Sequence, residues 1–189
     1  MSVSIQRLLN LNSEQLCRIP HVLPEYVKVM KNHKEECLIT TLREVRDFAI
    51  LKGDVSLLKT VMSVGCDCEF ESGQLNPLCV ADDYNGSDEL EILLKAGAQV
   101  VEPKRLFYAA EEGSFKRMMV WMNYVSIQDL FNEKGENAWG LYSKTFEYHY
   151  LTEDKKHYQK SLFDKLLLER TLEKSSLDKL ESSAKSLRL

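Results

Sequence analysis

Residues 76–100, NPLCVADDYNGSDELEILLKAGAQV, decide how this chain is read. Asn76 precedes Pro77, a residue that fits the first helical turn, and the asparagine side chain can accept one of the free backbone N–H groups there. A short helix through Ala81 then meets a turn at Gly86. Beyond it, Leu90, Leu93 and Leu94 recur at the three-and-four spacing of a second helix. Gly97 stands where that helix would end in a left-handed residue, a conformation that costs glycine nothing sterically. The segment is therefore a helix pair with one apolar stripe, and a single pair cannot bury that stripe alone.

The chain rhymes with this segment in both directions. The phrases FAILKGDVSLLKTVMSVGCDCEF (48–70), LCVADDYNGSDELEILLKAGAQV (78–100) and LFYAAEEGSFKRMMVWMNYVSI (106–127) each place a small residue, Ala49, Ala81 or Ala109, before a turn glycine, Gly53, Gly86 or Gly113. An apolar second helix follows in each. A fourth phrase, FNEKGENAWGLYSKTF (131–146), opens with Asn132, Gly135, Asn137 and Ala138. Gly65, like Gly97, is placed to end a helix. No segment keeps the period-two alternation of a sheet protein.

This pattern resembles the ankyrin repeat over about residues 42–146, with Pro77, Leu78, Ala81, Leu90, Leu93, Leu94, Ala96, Gly97, Ala98 and Val100 on family positions. The resemblance implies an all-α fold, an ankyrin-like stack of helix-turn-helix repeats with helical caps at both ends. Residues 1–41 would form the amino-terminal cap, 42–146 the repeats and 147–189 a helical extension. Asn76 and Cys79 depart from the threonine and histidine of the family, which implies weaker contacts between adjacent loops. A less regular helical bundle is the alternative organisation.

Composition limits the partners. Of 189 residues, 44% are apolar and 29% charged, with a net charge of −4. The negative charge is concentrated: residues 66–112 carry 3 basic and 11 acidic side chains, whereas 1–65 and 113–189 each carry a net +2. Such a belt repels phosphate backbones and suits a basic protein partner, so no nucleic-acid partner is expected. No stretch has the length and apolarity of a membrane span, and Arg7 and Asn10 interrupt any secretion-type apolar run. A cytoplasmic protein with its five cysteines reduced is expected.

Near the amino terminus, Ile5, Leu8, Leu9, Leu16 and Ile19 have helical spacing, and Ser13 is the expected cap of a second helix. Pro24 opens another in LPEYVKVMKNH. Cys17, His21, His33 and Cys37 form a C-x3-H-x11-H-x3-C pattern of zinc-ligand types, yet the intervening segment has helical apolar spacing of its own. The expectation is therefore no metal and no cofactor. Cys66 and Cys68 read as replacements of small apolar residues, since a redox pair favours two intervening residues at a helix start. Asp82, Asp83, Asp88, Glu89 and Glu91 read as solvated carboxylates on a helix pair, and neither a phosphate-binding glycine loop nor a nucleophile elbow is present. No catalysis is expected. An enzyme or zinc-dependent module in the terminal regions is the alternative, and VLPEYVKVM as an F-box-like adaptor helix a weaker one.

A surface for another protein remains. By the ankyrin resemblance, recognition falls on the two positions before each turn glycine and on the finger tips. The first set is Leu51 and Lys52, Asp83 and Tyr84, Glu111 and Glu112, with Lys144 and Thr145 in the fourth unit. The fingers contribute Glu71, Ser72 and Gln74, then Glu133, Lys134 and Glu136. Tyr84 among carboxylates suits an interface anchor. The expected function is thus a non-catalytic interaction module with an acidic concave face. Small degenerate arrays of this kind occur among bacterial effectors, which would place it in a host cytosol, and among inhibitors of such proteins. The terminal segment has helical composition; Arg170 and Glu173 interrupt the seam of Phe163, Leu166, Leu177, Leu180, Ala184 and Leu187, so packing back on the last repeat is expected, and a monomer in preference to a homodimer.

Overall fold

The computed structural model describes residues 4–70, 76–84 and 86–186, the side chains of 36 and 180–186 excepted. Every regular element among them is helical, and the one β-type pairing is an isolated antiparallel bridge between Phe131 and Asn137. The chain forms two compact units, Met1–Gln99 and Val100–Leu189.

The first unit holds α1 (Ile5–Leu9), α2 (Ser13–Arg18), a 3₁₀ turn (Pro20–Val22), α3 (Leu23–His33), α4 (Glu35–Lys52), α5 (Val55–Ser63), α6 (Pro77–Tyr84) and α7 (Ser87–Lys95). Asn12, not Ser13, caps α2: its side chain accepts from the Gln15 N–H while the Gln15 side chain accepts from the Asn12 N–H. This reciprocal pair satisfies two orphan donors, where Ser13 alone would satisfy one. α4 crosses the 41/42 position at which a cap and a first repeat are divided in the sequence.

α4 and α5 form one helix pair, α6 and α7 another, with α4 packed on α6 and α5 on α7. Ala49 and Ala81, the small residues of α4 and α6, are fully buried. Leu57, Leu58 and Val61 of α5 and Leu90 and Leu93 of α7 are buried as their spacing requires. The Asn76 side chain accepts from the Leu78 N–H at 2.9 Å, the expected cap. Gly65 and Gly97 adopt φ of 96° and 94°, ending α5 and α7. The same segment corrects the solvated reading of the carboxylates: Asp82 and Glu89 are each only 3% exposed. Asp82 is one turn beyond Leu78, on the inward face. Glu89 sits in the first turn of α7, at the positive end of its dipole.

Two arginines of α4 tie down the segment that follows α5. Arg43 pairs with both carboxylate oxygens of Asp67 at 2.9 Å, and the fully buried Arg46 donates to the carbonyls of Asp67 and Glu69 at 3.0 and 2.9 Å.

The second unit holds α8 (Arg105–Glu111), α9 (Phe115–Tyr124), a 3₁₀ turn (Ile127–Leu130), α10 (Ala138–Tyr142), α11 (Phe146–His149) and α12 (Glu153–Ser186). α8 packs on α9 and on α10, and α12 packs on α9. Trp139, Tyr142, Tyr148 and Phe163 form an aromatic cluster with ring centroids 5.6 Å apart in each contact made by Trp139 with the other three. Phe163 is 1% exposed, and the Tyr142 hydroxyl is 2.9 Å from Gln159 Oε1. α12 thus packs back on its own unit. Arg170, which interrupts the apolar seam, donates through Nη2 to the Val125 carbonyl at 2.6 Å. Its residues 171–179 are exposed.

Candidate functional site

A cleft of about 380 Å³ lies in the second unit, and its residues come from α8 and from the connection leading into α10. Lys104, Phe107, Tyr108 and Glu111 line it from the α8 side at i, i+3, i+4 and i+7, the spacing that puts side chains on one helix face. Opposite stand Phe131, Asn132, Glu133 and Lys134, with Leu141 of α10 completing the apolar lining. Tyr108 and Phe131 are 43% and 47% exposed, a large apolar area to leave in water.

The 131–137 segment is a self-supporting turn. Asn132 Oδ1 accepts from the N–H groups of Lys134 and Glu136, both at 2.9 Å, and the Asn132 N–H donates to the Glu136 carbonyl at 2.9 Å. Gly135 takes φ of 75°. Asn137 then caps α10 by accepting from the Gly140 N–H at 3.0 Å. The backbone is satisfied internally, which leaves the side chains of Glu133 and Lys134 exposed at its tip. Glu136 is instead held by Lys144 Nζ at 2.9 Å and by Asn132; these contacts, Lys144 first, lower its pKa.

The residues nominated from the sequence divide between the two units. Glu111, Glu133 and Lys134 share the cleft. Glu112, next after Glu111 in the chain, is exposed, its carboxylate paired with Arg117. In the first unit, Leu51 and Tyr84 are 57% and 71% exposed at the ends of α4 and α6, Asp83 is exposed, and the Lys52 ammonium lies 5.8 Å from the Phe48 ring centroid. Glu71, with Ser72 and Gln74, lies outside the described residues. Thr145 caps α11 by accepting from the Tyr148 N–H.

The sequence nominates Tyr84 as an aromatic anchor and not Phe107, Tyr108 and Phe131, which line the cleft. The helical spacing of Lys104, Tyr108 and Glu111 was a usable signal for half of this wall. Phe131, immediately before the Asn132 turn, was the signal for the other half.

The remaining constellations sit elsewhere. Among the described residues, no group of three or more His, Cys, Asp or Glu is placed to hold a metal ion, and Cys17, His21, His33 and Cys37 do not assemble into one. Burial drives the Cys66 thiol up to about 12, and burial also raises Cys68 and Cys17. In LPEYVKVMKNH, Leu23, Tyr26, Val27, Val29 and Met30 are buried, so the apolar face of α3 is already used within its own unit. Among the described residues no helix is long and apolar enough to cross a membrane. Comparison with family models, with curated proteins and with solved structures returns no match for this chain.

Proposed function

We propose that this chain is a non-catalytic protein-interaction module of ankyrin-like build, and that its partner seats in the cleft between α8 and the Asn132 turn. The observation that carries this reading is the meeting of Glu111, Glu133 and Lys134, nominated from repeat positions, in one cleft with the exposed rings of Tyr108 and Phe131. Partly exposed aromatics beside uncommitted charge are the composition of an interface anchor. The helix-pair arrangement of α4–α5 and α6–α7, with like helices packed on one another, supports the repeat reading. A partner with a basic patch complements the acidic belt. An effector or effector-inhibitor role in a cytosol fits the same chemistry.

The test is affinity capture with the full chain and with Phe131→Ser and Glu111→Lys/Glu133→Lys variants, followed by calorimetry on the purified partner. Charge reversal at Glu111 and Glu133, with Asp83 and Glu112 as companion sites, is expected to weaken binding at least about tenfold and to reduce its salt dependence. Affinity unchanged in both cleft variants would sink the assignment.

A further inference from the structure

We infer that the cleft receives an arginine side chain presented by an extended segment of the partner protein. This rests on the interaction reading above and specifies its chemistry. Phe107, Tyr108 and Phe131 supply ring surface, while Glu111 and Glu133 supply carboxylates. The other charges at the cleft have local company. The Lys104 ammonium lies 5.8 Å from the Tyr108 ring centroid, and Asp129 accepts from the Ser126 hydroxyl at 2.6 Å. Lys134 acts electrostatically on Glu136. Glu112 is paired with Arg117 and Glu136 with Lys144. Among the described residues, Glu111 and Glu133 alone of the carboxylates lining the cleft have no hydrogen-bond or ion-pair partner. The unmet demand is for a cation.

The rings choose which cation. A lysine ammonium is compact and strongly hydrated, so seating it against three aromatic side chains costs much of its hydration. A guanidinium is planar and weakly hydrated; its face can lie on a ring while its edge donates to a carboxylate. Its aliphatic stem would cover the exposed parts of Tyr108 and Phe131. At about 380 Å³ the cleft is near the small end of ligand sites, suited to a side chain with its flanking backbone more than to a folded surface. Phosphate-bearing ligands meet three carboxylates against two ammonium groups in the lining and are disfavoured.

The experiment titrates the ¹⁵N-labelled full chain with the peptide Gly-Ser-Gly-Arg-Gly-Ser-Gly and with versions carrying lysine or citrulline at the central position. Citrulline keeps the shape of arginine and removes its charge. The arginine peptide is expected to shift the amide resonances of Tyr108, Glu111, Phe131 and Glu133, to bind about two- to fivefold more tightly than the lysine peptide, and to outlast the citrulline peptide, which leaves them unmoved. Glu111→Gln/Glu133→Gln, at exposed positions, should weaken the arginine peptide about three- to tenfold with the spectrum otherwise native. Equal shifts from citrulline, tighter binding of lysine, or no shift from any peptide would overturn the inference. A native partner that loses affinity with Phe131→Ser but presents no arginine to the cleft would overturn it while leaving the interaction reading standing.

Discussion

The Nη1 of Arg46 lies 3.0 Å from the carbonyl oxygen of Asp67, 21 residues further along the chain, and Arg46 is fully buried. The same nitrogen reaches the Glu69 carbonyl, and Nε reaches Asp47 Oδ1 at 2.8 Å. One guanidinium therefore fixes the path of the chain out of α5. Arg46→Met leaves two carbonyls short of a donor and is expected to cost about 2–4 kcal/mol, read as a fall in the urea midpoint. Arg46→Lys should recover only part of this, because an ammonium in the place of Nη1 leaves the Nε contact to Asp47 unmade. A loss below about 1 kcal/mol would show that the segment is held by other contacts.

Asp67 gives the first unit an acid-sensitive tie. Its hydrogen bonds to Arg43 hold the carboxyl below its ordinary pKa, against the opposing effect of partial burial. The depressed folded value means the unfolded chain takes up the proton first as pH falls. The stabilisation is complete above the unfolded-state pKa of about 3.9 and is lost as pH falls through the lower folded value. Urea midpoints of wild type and Asp67→Asn should therefore differ at pH 7 and draw together as pH falls below about 3.9. A constant difference across that range would assign the effect to packing.

Thiol labelling should rank the cysteines by burial. Cys37 is exposed, whereas Cys66 is buried with its pKa driven up to about 12, leaving a thiolate fraction of about 10⁻⁴ at pH 8. Mass spectrometry of the native protein after brief alkylation at pH 8 should find Cys37 modified well before Cys66. Early modification of Cys66 would mean that α5 and the segment after it open readily.

The two halves of α12 should respond differently to truncated side chains. Phe163 is buried against Trp139, and Phe163→Ala is expected to cost about 3–5 kcal/mol. Leu177, 61% exposed, should tolerate alanine within about 0.5 kcal/mol. Tryptophan fluorescence during urea unfolding reads both, since Trp121 and Trp139 lie in this unit. A large cost at Leu177 would reveal an association through the outer part of the helix.

What could be read in advance was local. Asn76 and Gly97 declare the ends of α6 and α7 because capping and left-handed backbone depend on the residue itself. Leu90, Leu93 and Leu94 declare a buried stripe through spacing alone. Asp82 and Glu89 misled because charge argues for water, while helix phase, which places Asp82 one turn from Leu78, decides which way a side chain faces. The cleft was legible only in part for a different reason. Tyr108 and Phe131 are 23 positions apart, and their meeting depends on α10 packing against α8, a property of tertiary geometry and not of either segment. The seam-breaking Arg170 likewise finds its purpose only at the Val125 carbonyl.

The turn at Asn132 separates shape from address. Asn132 and Gly135 fix the backbone, while Glu133 and Lys134 project from it without contributing hydrogen bonds from their side chains. Those two positions can therefore drift in sequence with little consequence for folding. On the interaction reading proposed above, a lineage would retarget the cleft through one or two codon changes, and a laboratory library randomised at the same pair should yield folded variants at high frequency.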